Sequence, residues 1–561
     1  MDECDFVVVG GGSSGCVVAS RLSADPDTTV VLLEAGGRGT DWVVKTPAAG
    51  VFMVPSRLHN WAFETAPQAG LDGRRGYQPR GKVLGGCSAI NAMVYTRGHR
   101  WDYDHWASLG CTGWSFDEVL PFLKKAECNE EFGEPWHGRA GPLPVSRSRT
   151  DNPFHSVFLK AARQAGFPLC EDFNVPEPEG LGIYQVTQKN GERWSAARAY
   201  LHPHMSTRRN LHVACGAHAH RILFEGKRAA GVEFEQGGER RIVRARREVI
   251  LSAGALQSPQ ILMLSGIGNA EEMQALDIPV VVHRPGVGQN LQDHPDFIFG
   301  YKAESRDLLG MSLPGFGRLS REVLRYVRAR RGMVTTNFAE AGGFLKTRPE
   351  REIPDIQLHF VVAMVDDHAR RLHWGHGFSC HVCLLRPHSR GTVRLQSADS
   401  RAAPLVDPNF LGEPEDLDDM VEGFRITRRL MDAPAFASRR IADVFTADIR
   451  SDDEIRAVLR QRVDTVYHPV GTCRMGGDDG SVLDPQLRVR GVDALRIVDC
   501  SIMPTLVGGN TNAPAIMIGG KAAAMIRSDP GRSRVTVAAW PQNREVVRPG
   551  RSREPSSSAS A

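Results

Sequence analysis

The first forty residues alternate between short apolar runs and one glycine-rich turn. The run DFVVV, residues 5–9, is typical of a buried parallel strand, and CVVASRLS, residues 16–23, has helical character. A second apolar run, TTVVLLEAG, covers residues 28–36. The order strand, glycine turn, helix, strand predicts a Rossmann-like α/β unit at this end of the chain.

A different pattern occupies the region after residue 350. Residues 354–364 (PDIQLHFVVAM), 378–387 (FSCHVCLLRP) and 391–397 (GTVRLQS) alternate apolar and polar positions as sheet strands do. Residues 416–433, DLDDMVEGFRITRRLMDA, have the spacing of an amphipathic helix. Strands and a helix of this kind predict a second structural unit.

Composition narrows the class of protein. With 561 residues, 41% of them hydrophobic and 24% charged, the chain is typical of a soluble globular protein with at least two domains. The formal net charge is only +4 and no long basic run is present, which argues against a nucleic-acid-binding surface. A small organic ligand is the better expectation.

The location predicted from the sequence is cytoplasmic, with peripheral contact at the inner membrane face left open. The start, MDECDFVVVG, lacks the basic region of a signal peptide, and the apolar runs are shorter than the roughly 20 residues of a bilayer span. Residues 305–332 contain a basic helix that is either a solvated surface element or a lid or membrane-touching element. The Arg- and Ser-rich residues 528–561 are predicted to be disordered.

The eleven cysteines are scattered, which predicts reduced thiols. Cys380 and Cys383 form a CxxC pair, but positions three apart on a strand face opposite sides, so strand packing is favoured over a disulfide or metal site. His468 and Cys473 lack a second pair at ligand spacing. We therefore predict no metal site.

The glycine turn has the chemistry of a dinucleotide site. Gly10, Gly12 and Gly15 form G-x-G-x-x-G, which allows the backbone to approach a pyrophosphate at a helix N-terminus. Glu34 ends the next strand nineteen residues after Gly15, where a carboxylate meets a ribose hydroxyl. These residues alone leave both NAD and FAD open.

Five ordered motifs indicate a family. They are the N-terminal glycine motif, PRGKVLGGCSAINAMVYTRGH (79–99), GALQSPQILMLSGIG (254–268) with PGVGQNLQDH (285–294), YHPVGTCRMG (467–476) and VDCSIMPTLVGGNTNAPAIMIGGKAA (498–523). With these motifs the sequence resembles the glucose–methanol–choline (GMC) flavin oxidoreductases. The resemblance implies FAD as the cofactor, in a discontinuous Rossmann-like domain beside an antiparallel sheet with helices.

The resemblance also implies which residues meet FAD. Val83 and the run from Asn91 to Val94 belong near the flavin, Asp499 near the ribityl-phosphate region, and the backbone of Ala219 near the adenine. Ile90 stands where histidine-tethered relatives carry their linking residue, which implies noncovalent FAD, and His99 is expected in the following loop. The full set of expected cofactor contacts is Gly10, Gly12, Ser13, Ser14, Gly15, Glu34, Val83, Gly86, Asn91, Ala92, Met93, Val94, Ala219, Asp499, Asn510 and Ala513.

The same resemblance implies a catalytic pair, His468 and Asn512. Oxidation of a primary alcohol to the aldehyde requires a base for the hydroxyl proton, and an imidazole is suited to this. His468 is the expected base and Asn512 the expected hydrogen-bond donor to the substrate oxygen, with hydride transfer to flavin N5. Without the motifs, the favoured interpretation of His468 is a hydrogen-bonded core histidine, with Asn512 as a turn residue before proline.

The expected domains follow the motifs. Residues 1–300 form the FAD-binding domain, with substrate-side insertions near 150–210, and residues 301–464 form the substrate-binding domain. Residues 465–527 return to the FAD-binding domain.

The alcohol, the electron acceptor and the oligomeric state are left open by the sequence. Choline needs an aromatic or acidic receptor for its cation. The candidates are Trp61, Phe63, Glu340, Phe360, Trp374 and Tyr467. A choline dehydrogenase, a lyase or decarboxylase on the same scaffold, and a flavin-binding protein without turnover are the alternatives.

Overall fold

A computed structural model describes residues 2–529. All of the predicted disordered tail except its first two residues lies outside that range. The strands are β1 Glu3–Val9, β2 Val30–Glu34, β3 Phe63–Glu64, β4 Tyr77–Gln78, β5 Glu127–Asn129, β6 Leu143–Arg147, β7 Gly180–Ile183, β8 Gln185–Val186, β9 Gln188–Lys189, β10 Glu192–Arg193, β11 Leu211–Cys215, β12 Ala217–Glu225, β13 Arg228–Gln236, β14 Glu239–Leu251, β15 Ile267–Gly268, β16 Val282–His283, β17 Pro295–Ala303, β18 Gly310–Met311, β19 Ala339–Leu345, β20 Ile356–Val361, β21 Gly375–Leu384, β22 Thr392–Arg394, β23 Leu405–Asp407, β24 Arg440–Asp443, β25 Asp464–Thr465 and β26 Leu495–Ile497.

The helices are α1 Ser13–Leu22, α2 Trp42–Lys45, α3 Gly50–Met53, α4 Arg100–Ser108, α5 Phe116–Ala126, α6 Phe154–Gln164, α7 Gly254–Leu264, α8 Ala270–Gln274, α9 Leu313–Ala329, α10 Pro414–Met431, α11 Pro434–Ala437, α12 Asp452–Arg462 and α13 Asn512–Ser528. None of those within residues 2–529 is long and apolar enough to cross a bilayer.

The first large sheet has seven strands in the order β11-β2-β1-β14-β13-β12, with β26 beside β14. β1 is parallel to both β2 and β14, and β26 continues the parallel part. Every residue of β2 is buried, as its unbroken VVLLE run requires of a strand covered on both faces. Because the parallel strands end at one edge, Val9, Glu34 and Leu251 bring their loops together there.

The second large sheet is antiparallel and has eight strands, in the order β24-β17-β21-β20-β19-β7, with β18 and β25 at its margins. Helix α10 packs on β21, and α6 and α12 belong to the same apolar core. The predicted fold class, a Rossmann-like sheet beside an antiparallel sheet with helices, is confirmed. β7, far earlier in the chain, and β17, which begins at Pro295, both contribute to this second sheet.

Two sequence patterns have instructive outcomes. The run 391–397 does form a strand, β22, but it pairs only with β23 in a separate two-stranded sheet, so it does not extend the large sheet. Cys380 and Cys383 lie on β21 as buried free thiols, and all eleven cysteines are unpaired. The thiol of Cys383 donates to the carbonyl of Gln357, whereas Cys380 belongs to the apolar core under the sheet.

Candidate active site

One cavity of about 380 Å³ lies between the two large sheets. Its wall begins at the glycine loop after β1, passes Glu34 and the loop 79–94, and reaches His468 and the first turn of α13. The Rossmann-like sheet supplies one side of the wall and β20 and β21 supply part of the other. A cofactor bound at the glycine loop and a substrate beside His468 would therefore share one cavity.

The glycine loop is shaped by two different steric demands. Gly10 has a φ of +101°, and a Cβ there would lie 2.4 Å from the carbonyl oxygen of Ser252. A Cβ on Gly15 would lie 2.0 Å from the carbonyl oxygen of Gly10, so this glycine is required where α1 packs on the strand. A Cβ on Gly12 would meet no protein atom closer than 3.8 Å. Protein packing does not require a glycine at position 12, whereas close approach of a phosphate does.

Two helix N-termini converge at this loop. Helix α13 packs on α1, the hydroxyl of Ser14 donates to the carbonyl of Ala515, and that of Ser13 donates to Oδ1 of Asn512 at 2.8 Å. Neither helix has a side-chain cap hydrogen bond at its N-terminus. The unpaired N–H groups of both first turns give this end of the cavity the positive potential that a pyrophosphate needs.

Glu34 lies beside the loop with its carboxylate fully buried. Its two oxygens accept hydrogen bonds from the backbone N–H groups of Gly11 and Gly36, at 2.9 and 2.7 Å. Burial raises the pKa of this carboxyl above its ordinary value, because the surroundings disfavour the charged form. The remaining lone pairs of the carboxylate are suited to accept a ribose hydroxyl.

The loop 83–94 brings its backbone against the glycine loop. Gly86 has a φ of +52°, and a Cβ there would lie 2.7 Å from Cα of Gly12. Met93 adopts a φ of +57°, and Arg193 is held by hydrogen bonds to Asn91. Residues 91–94, which follow this loop, all line the cavity.

Asp499 and Ala219 line the cavity from the sheet side. The carboxylate of Asp499 accepts hydrogen bonds from Gly254 N–H, Ser258 Oγ and Ser501 N–H, which fixes its orientation. Burial raises the pKa of this carboxyl. The hydroxyl of Ser252, also in the cavity wall, is buried with no hydrogen-bond partner among residues 2–529, as expected of a group that meets a bound molecule.

Most of the expected cofactor residues line this cavity, and three do not. Gly15, within α1, packs against the backbone of Gly10; Val83 joins a small apolar cluster with Val44 and Met53; and Ala513 faces the main core. Those that line it are Gly10, Gly12, Ser13, Ser14, Glu34, Gly86, Asn91, Ala92, Met93, Val94, Ala219, Asp499 and Asn510. The polar and glycine positions thus fit a long dinucleotide along one wall.

The two positions weighed for covalent attachment differ in placement. Ile90 lines the cavity and packs in the cluster around Val83. His99 is the N-cap of α4, where its Nδ1 accepts from the backbone N–H of Trp101 and its own N–H donates to Asp102. His99 therefore has a local structural role outside the cavity wall.

His468 is buried and is held on three sides. Its backbone N–H donates to Asp293 Oδ1 at 2.9 Å, its Nδ1 lies 3.0 Å from Nδ1 of His294, and its Nε2 lies 3.3 Å from Nδ2 of Asn510. Burial lowers the pKa of this imidazole well below its ordinary value, and His294, His359 and Arg80 add to the effect. The ring is consequently neutral at neutral pH.

Among the described residues, the hydrogen bond of the Asn512 side chain is to Ser13 and not to the imidazole of His468, although both residues line the cavity. Asn512 is the first residue of α13, and its side chain bonds to Ser13 at the pyrophosphate end of the cavity. Asn510, expected at the cofactor, instead reaches His468. Thr511, between them, is the N-cap of α13, and the two asparagine side chains have different partners although both line the cavity.

Asp293 and His294 are functional candidates that sequence reasoning missed. Both stand in the PGVGQNLQDH motif, which in the sequence alone indicates only the family resemblance. The Asp293 carboxylate accepts from His468 N–H and from the hydroxyl of Thr465, and burial raises its pKa to about 6. Burial lowers the pKa of His294 to about 3. Only their pairing with a chain segment 170 residues later reveals these roles, and no spacing rule in the sequence predicts it.

The residues considered as receptors for a choline cation are dispersed. Trp61 and Tyr467 line the cavity, while Phe63 and Phe360 lie in apolar clusters and Trp374 is at the surface. Glu340 is buried outside the cavity wall and is bound by Thr150, His155 and Thr336. Among the described residues that line the cavity, the only carboxylates are Glu34 and Asp499.

Comparison with known proteins identifies relatives of this chain. The chain is 46% identical to the alcohol dehydrogenase [acceptor] of Pseudomonas putida, over 93% of this chain and 95% of that protein. It is 44% identical to the mitochondrial choline dehydrogenase of Mus musculus, over 94% and 90% of the two chains. The structure superposes on pyridoxine 4-oxidase from Mesorbium loti with a TM-score of 0.84 and 30% identity, covering 93% and 99% of the chains.

A formate oxidase variant from Aspergillus oryzae matches with a TM-score of 0.87 and 28% identity, covering 94% and 98% of the chains. Residues 4–296 and residues 387–519 each match the GMC oxidoreductase family. This confirms the resemblance carried by the sequence motifs, and family membership implies FAD for the cavity. The chain belongs to the GMC oxidoreductase family.

Proposed function

We propose that this protein oxidises the CH–OH group of an uncharged primary alcohol to an aldehyde, with His468 as the base and noncovalent FAD as the cofactor. The observation that carries the proposal is the environment of His468. One ring nitrogen is occupied by a buried histidine, and the other faces a cavity that extends to a dinucleotide loop.

The hydrogen bonds assign the tautomer of His468. Nε2 of His294 lies 3.1 Å from the carbonyl oxygen of Leu385, so this nitrogen carries a proton and donates it. His294 is neutral, so its Nδ1 has a lone pair and accepts from Nδ1–H of His468. Nε2 of His468 is therefore unprotonated; in this structure its lone pair accepts from the amide NH₂ of Asn510, and a substrate hydroxyl bound beside it would take that place and give up its proton there.

The amide of Asn510 is oriented by a similar network. Its Oδ1 accepts from the hydroxyl of Thr96 at 3.2 Å and from the amide of Gln357 at 3.1 Å. The NH₂ group consequently points toward His468 and presents a hydrogen-bond donor beside the base. We assign to Asn510, and not to Asn512, the role of donating to the alcohol oxygen as its negative charge develops.

Each group then has one task. Bound FAD supplies the acceptor for the hydride that leaves the carbinol carbon. His468 accepts the hydroxyl proton at Nε2, and Asp293 holds the backbone of that residue in place through the hydrogen bond from its N–H. Exclusion of water from the buried site strengthens both hydrogen bonds to the substrate oxygen.

Noncovalent FAD is proposed from two side chains. Ile90 presents no nucleophile to the cavity, and Nδ1 of His99 is used as the cap of α4. The test is acid precipitation of the purified protein, which releases noncovalent FAD into the supernatant and leaves a covalent flavin in the pellet. Yellow precipitate with a colourless supernatant would contradict this assignment.

An uncharged alcohol is preferred because the wall near His468 has no free carboxylate for a cation. Glu34 and Asp499 are both bound by backbone N–H groups at the cofactor positions, and Lys82 already lies 4.2 Å over the Trp61 ring. Choline is the second candidate substrate, supported by the 44% identity to a choline dehydrogenase and by the aromatic ring of Tyr467 in the wall.

The experiment is anaerobic mixing of the FAD-loaded protein with a panel of aliphatic, aryl and polyol alcohols and choline. Loss of the oxidised flavin absorbance with formation of an aldehyde supports alcohol oxidation. The alcohol that reduces the flavin fastest identifies the substrate class. Product without any flavin reduction would instead indicate a lyase or decarboxylase, and no change with any compound would indicate flavin binding without turnover. Admission of air or addition of a quinone to the reduced protein then identifies the electron acceptor.

A further inference from the structure

Helix α9, Leu313–Ala329, presents an unusual surface. Leu313, Leu319, Val323, Leu324 and Val327 are exposed to between 46% and 79% of their full areas. At 3.6 residues per turn they fall within an arc of about 140° on the helix. Single exposed aliphatic side chains are normal on a protein surface, but five of them on one face of a helix form a contiguous apolar patch.

A second arc of the helix, about 80° wide and next to the aliphatic arc, is anchored to the protein. Tyr326 is buried, Glu322 accepts from the backbone N–H of Met333 at 2.8 Å, and Arg318 pairs with Asp307 at 2.8 Å. These contacts fix the rotation of the helix about its axis. The aliphatic arc is therefore held outward by the fold.

A loop that contacts the chain just before α9 carries two more exposed apolar side chains. Met311, just before α9, forms a bridge with Trp374, and β18 pairs with β21 immediately beyond it. Trp374 and Leu372 are 63% and 67% exposed. We call the aliphatic arc of α9, together with Leu372 and Trp374, the docking surface.

Positive charge borders the docking surface. Residues 312–332 contain six arginines and one glutamate, a formal charge of +5 in a chain whose net charge is +4. Arg321, Arg325 and Arg328 lie in an arc of about 60° on the flank of α9 next to the aliphatic arc. Four of the six arginines, Arg318, Arg325, Arg330 and Arg331, pair with acidic side chains, whereas Arg321 and Arg328 make no ion pair within residues 2–529.

We propose that the docking surface inserts into the interfacial layer of an anionic lipid membrane. Exposed leucine and valine side chains enter the boundary between headgroups and acyl chains, tryptophan favours the same depth, and the flanking arginines meet the anionic headgroups. A second copy of this chain is disfavoured as the occupant, because a symmetric contact would bring two arginine-rich flanks together. The proposal concerns a surface contact and does not depend on the reaction.

The position of the surface gives the contact a consequence. Val365, His368 and Ala369, which line the cavity, belong to the segment that leads directly into Leu372 and Trp374. Docking would therefore hold this wall of the cavity against the lipid, where apolar alcohols and quinones accumulate.

The test is sedimentation of the FAD-loaded protein with sucrose-loaded phosphatidylcholine vesicles, with and without phosphatidylglycerol. We expect binding to the anionic vesicles that weakens with salt. Val323→Ser/Val327→Ser should lower the partition coefficient at least about tenfold, because burial of apolar surface contributes to such binding. Arg321→Gln/Arg328→Gln should lower it roughly 25-fold, since each arginine near an anionic surface contributes about fivefold.

Matched controls lie on exposed strands elsewhere. Ile242→Ser and Ile441→Ser remove exposed aliphatic groups, and Arg240→Gln/Arg241→Gln removes two exposed arginines, so these variants should bind like the parent. Tryptophan fluorescence should shift to the blue with anionic vesicles in the parent and not in Trp374→Phe. Equal partition of all variants, or no vesicle binding by the parent, would overturn the proposal. A dimer that the serine variants convert to monomer, without vesicle binding, would identify a second copy as the occupant instead.

Discussion

The Nδ1 atoms of His294 and His468 lie 3.0 Å apart, and the proton between them determines which nitrogen of His468 faces the cavity. In the His294→Ala variant that acceptor is lost, and the His468 ring is free to rotate or to carry its proton on Nε2. We expect the rate of flavin reduction at saturating alcohol to fall about 10- to 100-fold, the equivalent of one strong buried hydrogen bond. Stopped-flow absorbance under anaerobic conditions measures this rate.

A matched variant separates positioning from packing. A glutamine at position 294 retains one acceptor for His468 and one donor for the carbonyl of Leu385, so His294→Gln should recover most of the rate. Both variants should keep the FAD content of the parent. If alanine and glutamine reduce the rate equally, or if alanine has no effect, the assignment of the tautomer to His294 is incorrect.

The pH dependence of the reaction follows from the lowered pKa of His468. A base must be neutral to accept a proton, and burial places the pKa of this ring well below its ordinary value of 6.5. The value of kcat/KM should be constant above neutral pH and should decrease only as the pH falls below 6.5 and the ring gains a proton. His468→Ala should lower kcat/KM about 10²- to 10⁴-fold and abolish this acid limb.

Asp293 is the control for that interpretation, because burial raises the pKa of its carboxyl to about 6. If His468 alone produces the acid limb, Asp293→Asn keeps the limb while lowering the plateau. Disappearance of the limb in this variant would show that the carboxylate, and not the imidazole, controls the titration.

Alanine substitutions at Asn510 and Asn512 are predicted to impair different properties. The first should lower the rate of flavin reduction, and the second should lower the affinity for FAD. Asn510→Ala removes the donor beside His468, so flavin reduction should slow about 100-fold while FAD affinity is unchanged. Asn512→Ala removes the partner of Ser13, so the dissociation constant for FAD should rise about tenfold while the loaded protein is reduced at the parental rate. Titration of the apoprotein with FAD and single-turnover reduction separate the two effects. The reverse pattern would restore Asn512 as the partner of His468.

These two asparagines show the limit of what the sequence predicts. The GNTNAPA motif predicts an asparagine near the base, and whether residue 510 or residue 512 lies there depends on where α13 begins. The helix begins at Asn512, so that side chain follows the helix N-terminus toward Ser13, and Asn510 lies in the preceding extended segment beside Thr96. A shift of two residues in a helix start is not visible in hydrophobic periodicity.

The fold was predictable where the apolar pattern is long and local. β1, β2 and α10 lie where their runs predict them, because a buried parallel strand and an amphipathic helix each have a distinctive period. The run 391–397 forms a strand but pairs with β23, since the partner of a strand is decided by distant segments. For the same reason, local sequence patterns do not indicate Asp293 and His294, because the proposed roles of these residues depend on contacts with His468 from a distant part of the chain.

Gly12 and Gly15 offer a test of the cofactor loop that does not involve the reaction. A Cβ on Gly15 would lie 2.0 Å from the carbonyl oxygen of Gly10, so Gly15→Ala must shift the backbone and should lower the free energy of unfolding of the apoprotein by about 1–3 kcal/mol or more. A Cβ on Gly12 would meet only Ser252 O at 3.8 Å, so the apoprotein of Gly12→Ala should unfold like the parent.

Gly12 lines the cavity at the start of α1, where an added methyl group would stand between the backbone N–H groups and a phosphate. The FAD affinity of the Gly12→Ala variant should therefore fall about 10- to 100-fold, as expected when a charged group loses a hydrogen bond. Thermal unfolding of the apoproteins and FAD titration by fluorescence measure the two quantities, and unchanged FAD affinity in Gly12→Ala would place the pyrophosphate elsewhere in the cavity.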